Sequence, residues 1–119
     1  MRYRLEKANR ILKRSDFLRI SKCGARVHNR DFLAVFYPNR LSCTRLGITV
    51  TKKVGNSVIR NRIKRLVREY FRLNRQNLPG YRDINVIAKS SAAKLGSDQA
   101  FVSLKDIFKK IDKKQAKHP

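Results

Sequence analysis

Four cations and one amide are spaced along the middle of the sequence so that their side chains would share one face of a helix. Asn61, Lys64, Arg65, Arg68 and Arg72 stand at i, i+3, i+4, i+7 and i+11, and these intervals form one ridge on a helix of about 3.6 residues per turn. Like charges four residues apart destabilise a helix by about 0.2–0.5 kcal/mol per pair. A bound polyanion relieves this repulsion, so the pattern favours a phosphate-binding ridge over an ordinary solvated basic face.

The segment before this helix adds further groups that bind anions. Lys52 and Lys53 follow a predicted strand, and the helix then begins with backbone N–H groups that have no partner within the helix. The ridge also contains more Arg than Lys. A planar guanidinium pairs with two phosphate oxygens at once and stacks on exposed bases, which an ammonium does not do. The predicted anion site therefore extends from this turn along the helix.

The helix that carries the ridge is predicted from its end signals and its apolar periodicity. Gly55, Asn56 and Ser57 supply a turn and an N-cap, the helix spans 58–75, and the Leu-Pro-Gly sequence at 78–80 ends it. One apolar stripe is predicted to face the core; it consists of Ile59, Ile63, Leu66, Tyr70 and Leu73.

The remaining elements follow from turn residues and from the period of the apolar positions, in the order α-β-β-α-β-α with room for a short strand near Val27. The strand segments 32–37 and 46–51 are predicted to be antiparallel neighbours because a turn-rich stretch joins them. The predicted elements are a helix of about two turns from Ser15, its N-cap, to Gly24, its terminator; strands at 32–37, 46–51 and 84–89; and a last helix from Ser97 and Asp98.

Composition limits the classes of partner. The 119 residues suit a single domain, 1–119, with basic ends predicted to fray at about 1–9 and 113–119, and the formal net charge is +22. A surface of this charge binds polyanions. No segment approaches the ~18 apolar residues of a membrane span, so the protein is predicted to be cytoplasmic with no membrane partner. Cys23 and Cys43 have no spacing typical of a disulfide framework or a zinc site and are expected to be reduced thiols.

The chain resembles the bacterial ribonuclease P protein family in the run 52–69, which reads Lys-Lys-Val-Gly-Asn-Ser-Val-Ile-Arg-Asn-Arg-Ile-Lys-Arg-Leu-Val-Arg-Glu. Its centre, Arg60-Asn61-Arg62, is similar to the hallmark tripeptide of that family. The likeness covers about 8–112 and includes further short matches at Asp16-Phe17, Gly24, Asn29-Arg30 and Arg45-Leu46-Gly47.

This resemblance implies a fold. The family has an α/β (α+β) two-layer sandwich with a small mixed sheet, and it contains a left-handed βαβ crossover. Sequence reasoning alone would not choose that handedness, because about 98% of such crossovers are right-handed.

The resemblance also implies roles for individual residues. The ridge and its hallmark tripeptide would contact the catalytic RNA and the substrate near the cleavage site, and Phe17 with the neighbouring sheet face would hold the single-stranded 5′ leader of precursor tRNA. The implied RNA contacts are Arg60, Asn61, Arg62, Lys64, Arg65 and Arg68, with Arg72 added from the ridge, and the implied contacts to leader phosphates are Lys52, Lys53 and Lys89.

Two positions in the predicted leader cleft depart from the family. Ser21 stands four residues after Phe17, where the family commonly has a second aromatic residue, and Val35 stands on the first long strand, where an aromatic is often found. Phe36 or Tyr37 would substitute for Val35 only if it faced the cleft. Phe17 itself is equally consistent with ordinary core packing of a helical Phe.

The sequence predicts no catalytic or metal-binding residue in the protein itself. Hydrolysis of a phosphodiester requires metal-bound water or a general base, whereas the eight Asp and Glu residues are scattered along the chain. We therefore expect the RNA partner to hold the catalytic Mg²⁺. The alternative is a structural ribosomal RNA-binding protein, which composition does not exclude. A helix-turn-helix DNA binder would need a short, tight helix pair, so no DNA partner is expected.

Overall fold

The computed structural model describes residues 9–39, 43–74 and 81–116, which form three α-helices, a four-stranded sheet and one short 3₁₀ segment. The predictions that concern 1–8, 40–42, 75–80 and 117–119 lie outside the described residues. The elements are α1 (Arg14–Cys23), β1 (Ala25–His28), β2 (Phe32–Pro38), β3 (Arg45–Thr49), α2 (Ser57–Asn74), β4 (Arg82–Ala88), the 3₁₀ segment (Ser90–Lys94) and α3 (Ser97–Ala116).

The strands lie in the order β1-β2-β4-β3. β2 is antiparallel to β1 and β4, whereas β3 is parallel to β4. The prediction that the strands at 32–37 and 46–51 are antiparallel neighbours is wrong, because β4 lies between them. Alternation of apolar residues identifies a strand but not its partner, and a parallel pair needs a long connection, which α2 provides here. The predicted short strand near Val27 is confirmed as β1.

Each face of the sheet packs against different helices. Phe36, Ile84 and Val86 belong to the main core, where α2 and α3 lie against the sheet and against each other. On the opposite face Ile20 of α1 packs with Val35 in a smaller apolar cluster. The fold is therefore a sandwich of a mixed sheet with α2 and α3, and α1 covers part of the remaining sheet face.

The helix α2 begins at Ser57, after the N-cap residue Asn56, whose Oδ1 accepts a hydrogen bond of 3.0 Å from the Ile59 N–H. Its predicted apolar stripe is partly wrong, since Leu73 is 54% exposed while Val67 and Phe71 are buried. Apolar residues occupy more of the α2 surface than one stripe, and packing against α3 selects the buried side. Phe108 of α3 stacks on Tyr70 and lies against Phe71.

The start of α1 differs from its prediction. The helix begins at Arg14, Lys13 occupies the N-cap position without a side-chain hydrogen bond, and Ser15 lies within the first turn. Gly24 does end the helix, and its N–H donates to the Ile20 carbonyl over 2.8 Å. A Cβ at Gly24 would lie 2.8 Å from the Phe36 carbonyl oxygen, so close packing on β2 requires glycine there.

The last helix extends into the basic C-terminal end, since α3 continues to Ala116. The predicted fraying from about 113 stays a prediction. Ile107, Phe108 and Ile111 are buried on its inner side, and the Lys114 ammonium donates to the Arg26 carbonyl of β1 over 2.9 Å. Apolar burial up to Ile111 and the contact of Lys114 with β1 therefore attach the C-terminal part of α3 to the sheet.

Candidate nucleic-acid interface

The outer side of α2 presents several cations, of which Lys64, Arg65 and Arg68 form no ion pair with the described carboxylates. Asn61 and Arg65 are exposed, and Lys64, Arg68 and Arg72 are half-buried along the same side of the helix. Within the described residues the ion pairs involve other parts of the fold, and Arg60, Lys64, Arg65 and Arg68 form none of them. The helix therefore brings the predicted ridge together as a surface of positive charge.

Arg62 differs from the other cations of α2. Its Nη1 donates to the Leu95 carbonyl over 2.9 Å, and its Nη2 donates to the Ala93 carbonyl over 3.1 Å. Both carbonyls lie at the end of the 3₁₀ segment, so the Arg62 side chain fastens that segment to α2. Arg62, the last residue of the hallmark tripeptide, therefore uses two of its guanidinium donors in hydrogen bonds within the fold.

Arg68 lies close enough to Arg10 for the two charges to interact. Burial lowers the pKa of Arg68 below its ordinary value, and the positive charge of Arg10 lowers the pKa further. Arg10 precedes α1 and forms an isolated parallel bridge with Leu46 of β3. Sequence reasoning treated this segment as a basic end and missed its position beside α2.

Phe17 lies between the two roles proposed for it. Its side chain is half-buried and packs against the cluster that contains Ile11 and Val35. A Cβ at Gly47 would lie 2.5 Å from Phe17 Cε1 and 2.8 Å from Cζ, so the ring edge rests on the bare backbone of β3. Phe17 is neither a fully buried core residue nor a free platform.

The sheet face beside Phe17 forms a floor that sequence reasoning did not identify residue by residue. Leu33 of β2 and Ile87 of β4 are half-buried there, and the Thr49 hydroxyl donates to the Asn85 side-chain oxygen over 3.2 Å. The available signal was the period of two along β4, where Asp83, Asn85 and Ile87 alternate with core residues.

The two departures from the family pattern now have positions. Val35 is buried beneath α1, whereas Phe36 belongs to the main core on the other sheet face and does not substitute for it. Tyr37 shares the sheet face of Val35 and is 37% exposed. Ser21 is exposed on α1. Tyr37 is therefore the aromatic residue of β2 that faces the side of the predicted cleft.

The predicted leader lysines lie at one end of the sheet. Lys52 and Lys53 are exposed in the turn after β3, and Lys89 follows β4, which runs parallel to β3. The Lys89 ammonium donates to the Asn29 carbonyl over 2.6 Å and lies 3.5 Å from His28 Nδ1. Lys89 is therefore half-buried and held in place, in contrast to the two exposed lysines.

At the opposite end of the sheet, carboxylates pair with arginines. Arg45 Nε donates to Asp83 Oδ1 over 2.8 Å and its Nη2 to Oδ2 over 2.6 Å, and Asp16 lies 3.4 Å from Nη1. The hydrogen bond to Asp83 is the main cause that raises the pKa of Arg45. Arg19 pairs with Asp16 in the same network. This network fastens α1 to β3 and β4.

A second polar network holds the loop between β1 and β2. Asn29 Oδ1 accepts from the N–H groups of Asp31 and Phe32, and the hydroxyls of Ser91 and Ser103 donate to the Asp31 carboxylate over 2.7 and 2.9 Å. Burial raises the pKa of Asp31, but these hydrogen bonds and the charge of Arg30 outweigh it, so the pKa lies below its ordinary value.

Asp112 also forms an ion pair within the fold, with Arg82. Arg82 is fully buried; burial lowers its pKa and the nearby charge of Asp112, 3.6 Å away, opposes that change.

Among residues 9–39, 43–74 and 81–116, no three His, Cys, Asp or Glu side chains are grouped so as to hold a metal ion. The described helices include none that is long and apolar enough to span a membrane. Cys23 is an exposed, free thiol.

These features define a class of protein: a small basic domain of mixed helices and strands whose cationic helix face is typical of nucleic-acid binding. Comparison with known proteins identifies the family. The family model described as Ribonuclease P matches residues 5–112. A ribonuclease P protein component from Desulforapulum autotrophicum is 49% identical over 109 residues, covering 92% of this chain and 93% of the relative. The component from Staphylococcus epidermidis is 46% identical over 106 residues, covering 88% and 91%.

Solved structures agree with the sequence comparison. The RNase P protein of Staphylococcus aureus superposes with a TM-score of 0.82 at 42% identity, covering 87% of this chain and 94% of that one. The RNase P protein of Thermotoga maritima gives a TM-score of 0.79 at 34% identity, covering 85% and 96%. The chain belongs to the ribonuclease P protein family. The mixed sheet and helices implied by the sequence resemblance are thereby confirmed, while the left-handed crossover stays a prediction.

Proposed function

We propose that this protein is the protein subunit of a ribonuclease P ribonucleoprotein, in which α2 binds the catalytic RNA and the cleft beside α1 holds the 5′ leader of precursor tRNA. One observation carries the proposal. Arg60, Lys64, Arg65 and Arg68 form no ion pair with the described carboxylates, although such pairs form elsewhere in the fold. Phosphates of an RNA supply the missing counter-charge.

The leader site is supported by the surfaces around Phe17. A half-buried aromatic ring, the apolar floor of Leu33 and Ile87, and lysines at one end of the sheet combine the two requirements for holding a single strand. Bases stack on aromatic and apolar surface while cations follow the phosphates, with little preference for sequence. We propose that Lys52 and Lys53 contact leader phosphates directly, whereas Lys89 mainly orders the loop it is bonded to.

The proposed division of labour leaves the chemistry to the RNA. Of the eight acidic residues, Glu6 lies outside the described part of the chain, and five of the other seven hold ion pairs within the fold: Asp16, Asp31, Asp83, Asp106 and Asp112. Mg²⁺, when bound by the RNA partner, would activate the water that attacks the phosphodiester. The protein screens the RNA phosphates and positions the 5′ leader of precursor tRNA. We propose that it acts in the cytoplasm.

Reconstitution tests the proposed function. The purified protein in Mg²⁺ should leave precursor tRNA intact, and addition of the ribonuclease P RNA of the same organism should give cleavage at the mature 5′ end, most clearly at low salt. Cleavage by highly pure protein without RNA, abolished by an Asp or His substitution, would contradict the proposal. Copurification of the tagged protein with intact ribosomal subunits instead of that RNA would favour the ribosomal alternative.

Leader length tests the role of Phe17. Phe17→Ala should weaken binding of precursor tRNA with a long leader by about 1 to 3 kcal/mol, because one stacking surface is lost. Mature tRNA and precursors with one-nucleotide leaders should bind the variant and the wild type equally. Phe101→Ala, which truncates a half-buried ring on the other sheet face, is the matched control. Equal loss of affinity for all three substrates, with a large fall in thermal stability, would assign Phe17 to packing alone.

A further inference from the structure

We propose that Arg10, from the segment ahead of α1, and Arg68 of α2 together bind one phosphodiester group of the RNA backbone. This inference rests on the proposed function, since it requires that α2 faces RNA. It adds to that surface a residue from a different part of the chain. The site is formed by the fold, because the two arginines are far apart in sequence.

Backbone contacts fix the position of Arg10. Its bridge to Leu46 and the 2.9 Å hydrogen bond from the Ile11 N–H to the Leu46 carbonyl attach this segment to the free edge of β3. The Ile11 side chain is 5% exposed and packs in the cluster beneath α1. Successive side chains of an extended segment point to opposite sides, so Arg10 points to the side of the sheet where α2 lies.

The electrostatics of the pair indicate an anion. Both side chains are half-buried, and the charge of Arg10 disfavours the charged form of Arg68. Within the described residues neither arginine pairs with a carboxylate, and the buried Nε of Arg10 has no hydrogen-bond partner. Two guanidinium groups held close together without a counter-ion are mutually destabilising. One anion between them offsets the repulsion and accepts hydrogen bonds from both.

A phosphodiester fits this site better than a carboxylate of a protein partner. Lys64 lies one turn before Arg68 on the same side of α2, and Arg65 is exposed beside it, so the pair continues a row of cations. Regularly repeated negative charge along a chain is the property of a nucleic-acid backbone. Arg10 thereby lengthens the α2 surface toward the edge of β3.

A double-mutant cycle tests the pair. Arg10→Gln, Arg68→Gln and the double variant are titrated with the ribonuclease P RNA over a series of salt concentrations, with Lys105→Gln on the exposed side of α3 as the control of equal charge. If both arginines share one phosphate, each single variant lowers the log–log salt slope by up to about 0.7 to 0.9, and the double variant lowers it by no more than that. Lys105→Gln leaves slope and affinity unchanged.

The outcomes separate this inference from the proposed function. A fall of about 1.4 to 1.8 in the log–log salt slope of the double variant would assign the arginines to two separate phosphates and overturn the shared site. Unchanged RNA binding by Arg10→Gln would also overturn it. If Arg65→Gln also binds the RNA with unchanged slope, the proposed function of α2 fails as well. If either Gln variant unfolds, Arg10→Lys provides the test, because lysine keeps the positive charge but lacks the planar guanidinium that binds two phosphate oxygens. The affinity of Arg10→Lys for the RNA should fall about tenfold, with a nearly unchanged log–log salt slope. Wild-type affinity of this variant would contradict joint binding of one phosphate.

Discussion

Arginines at one end of the sheet and arginines on the outside of α2 have opposite surroundings. Arg45 is held by two short hydrogen bonds to Asp83, and Asp16 adds a third charge to that network. On α2, Arg65 is exposed, and no described carboxylate pairs with it. Acidic residues thus neutralise Arg45, which joins elements of the fold, whereas Arg65 of α2 has no counter-charge among the described residues.

This difference teaches how to find the binding face of a very basic protein. With 30 Lys and Arg residues in 119, positive charge alone does not distinguish one part of the surface from another. The informative property is a lack of compensating carboxylates at a rigid element. Arg62 shows that position on α2 is not sufficient, since its guanidinium is bonded to the carbonyls of Ala93 and Leu95.

The largest expected effect is at the carboxylate end of the sheet. Asp83→Ala should lower the free energy of unfolding by about 3 kcal/mol, because Arg45, only 18% exposed, loses its main counter-charge. Urea unfolding measures the loss. Asp98→Ala, an exposed carboxylate in the first turn of α3, should cost about 1 kcal/mol or less. Equal effects of the two substitutions would show that the Arg45 network does not stabilise the fold.

Arg62→Ala should lower the stability of the fold while changing the salt dependence of RNA binding little. Loss of its two hydrogen bonds leaves two carbonyls of the 3₁₀ segment without their donor, at a cost of about 2 kcal/mol in the free energy of unfolding. The log–log salt slope of RNA binding should stay close to wild type. A stable Arg62→Ala variant with a reduced slope would instead group Arg62 with the RNA-facing cations.

Arg65→Ala should show the reverse behaviour. Its stability should lie within about 0.5 kcal/mol of the wild type, because the side chain is exposed. The salt slope for binding the ribonuclease P RNA should fall by about 0.7 to 0.9, the value for one lost phosphate contact. Measurements of RNA binding over several salt concentrations check this prediction. An unchanged salt slope would indicate that this face of α2 is an ordinary solvated surface.

The smallest effect concerns the acid stability of the Asp31 network. The pKa of Asp31 lies below its ordinary value of 3.8, so ionised Asp31 contributes stability that is fully present above this pH. The contribution is lost as the pH falls through the lower pKa of the folded state. Asp31→Asn should therefore be less stable than wild type at neutral pH, with a difference that narrows below about pH 3.8. A difference between Asp31→Asn and wild type that stays constant with pH would contradict the linkage.

The sequence by itself determined the elements, the ridge on α2 and the family, because these depend on local signals. Helix ends, the period of two along the strands and the run 52–69 are all properties of neighbouring residues. The family resemblance implied an RNA contact for Arg62, although the structure shows its donors engaged by the 3₁₀ segment. A motif names the residue type at a position but does not reveal the contacts made there.

Only the tertiary structure decided which strands pair and which charges are neutralised. The placement of β4 between β2 and β3, the burial of Phe71 rather than Leu73, and the approach of Arg10 to Arg68 all join residues distant in sequence. Such contacts depend on how complete elements pack, and local periodicity contains no information about partners. In this protein the fold therefore determines which of many similar cations are paired with carboxylates and which described ones are not.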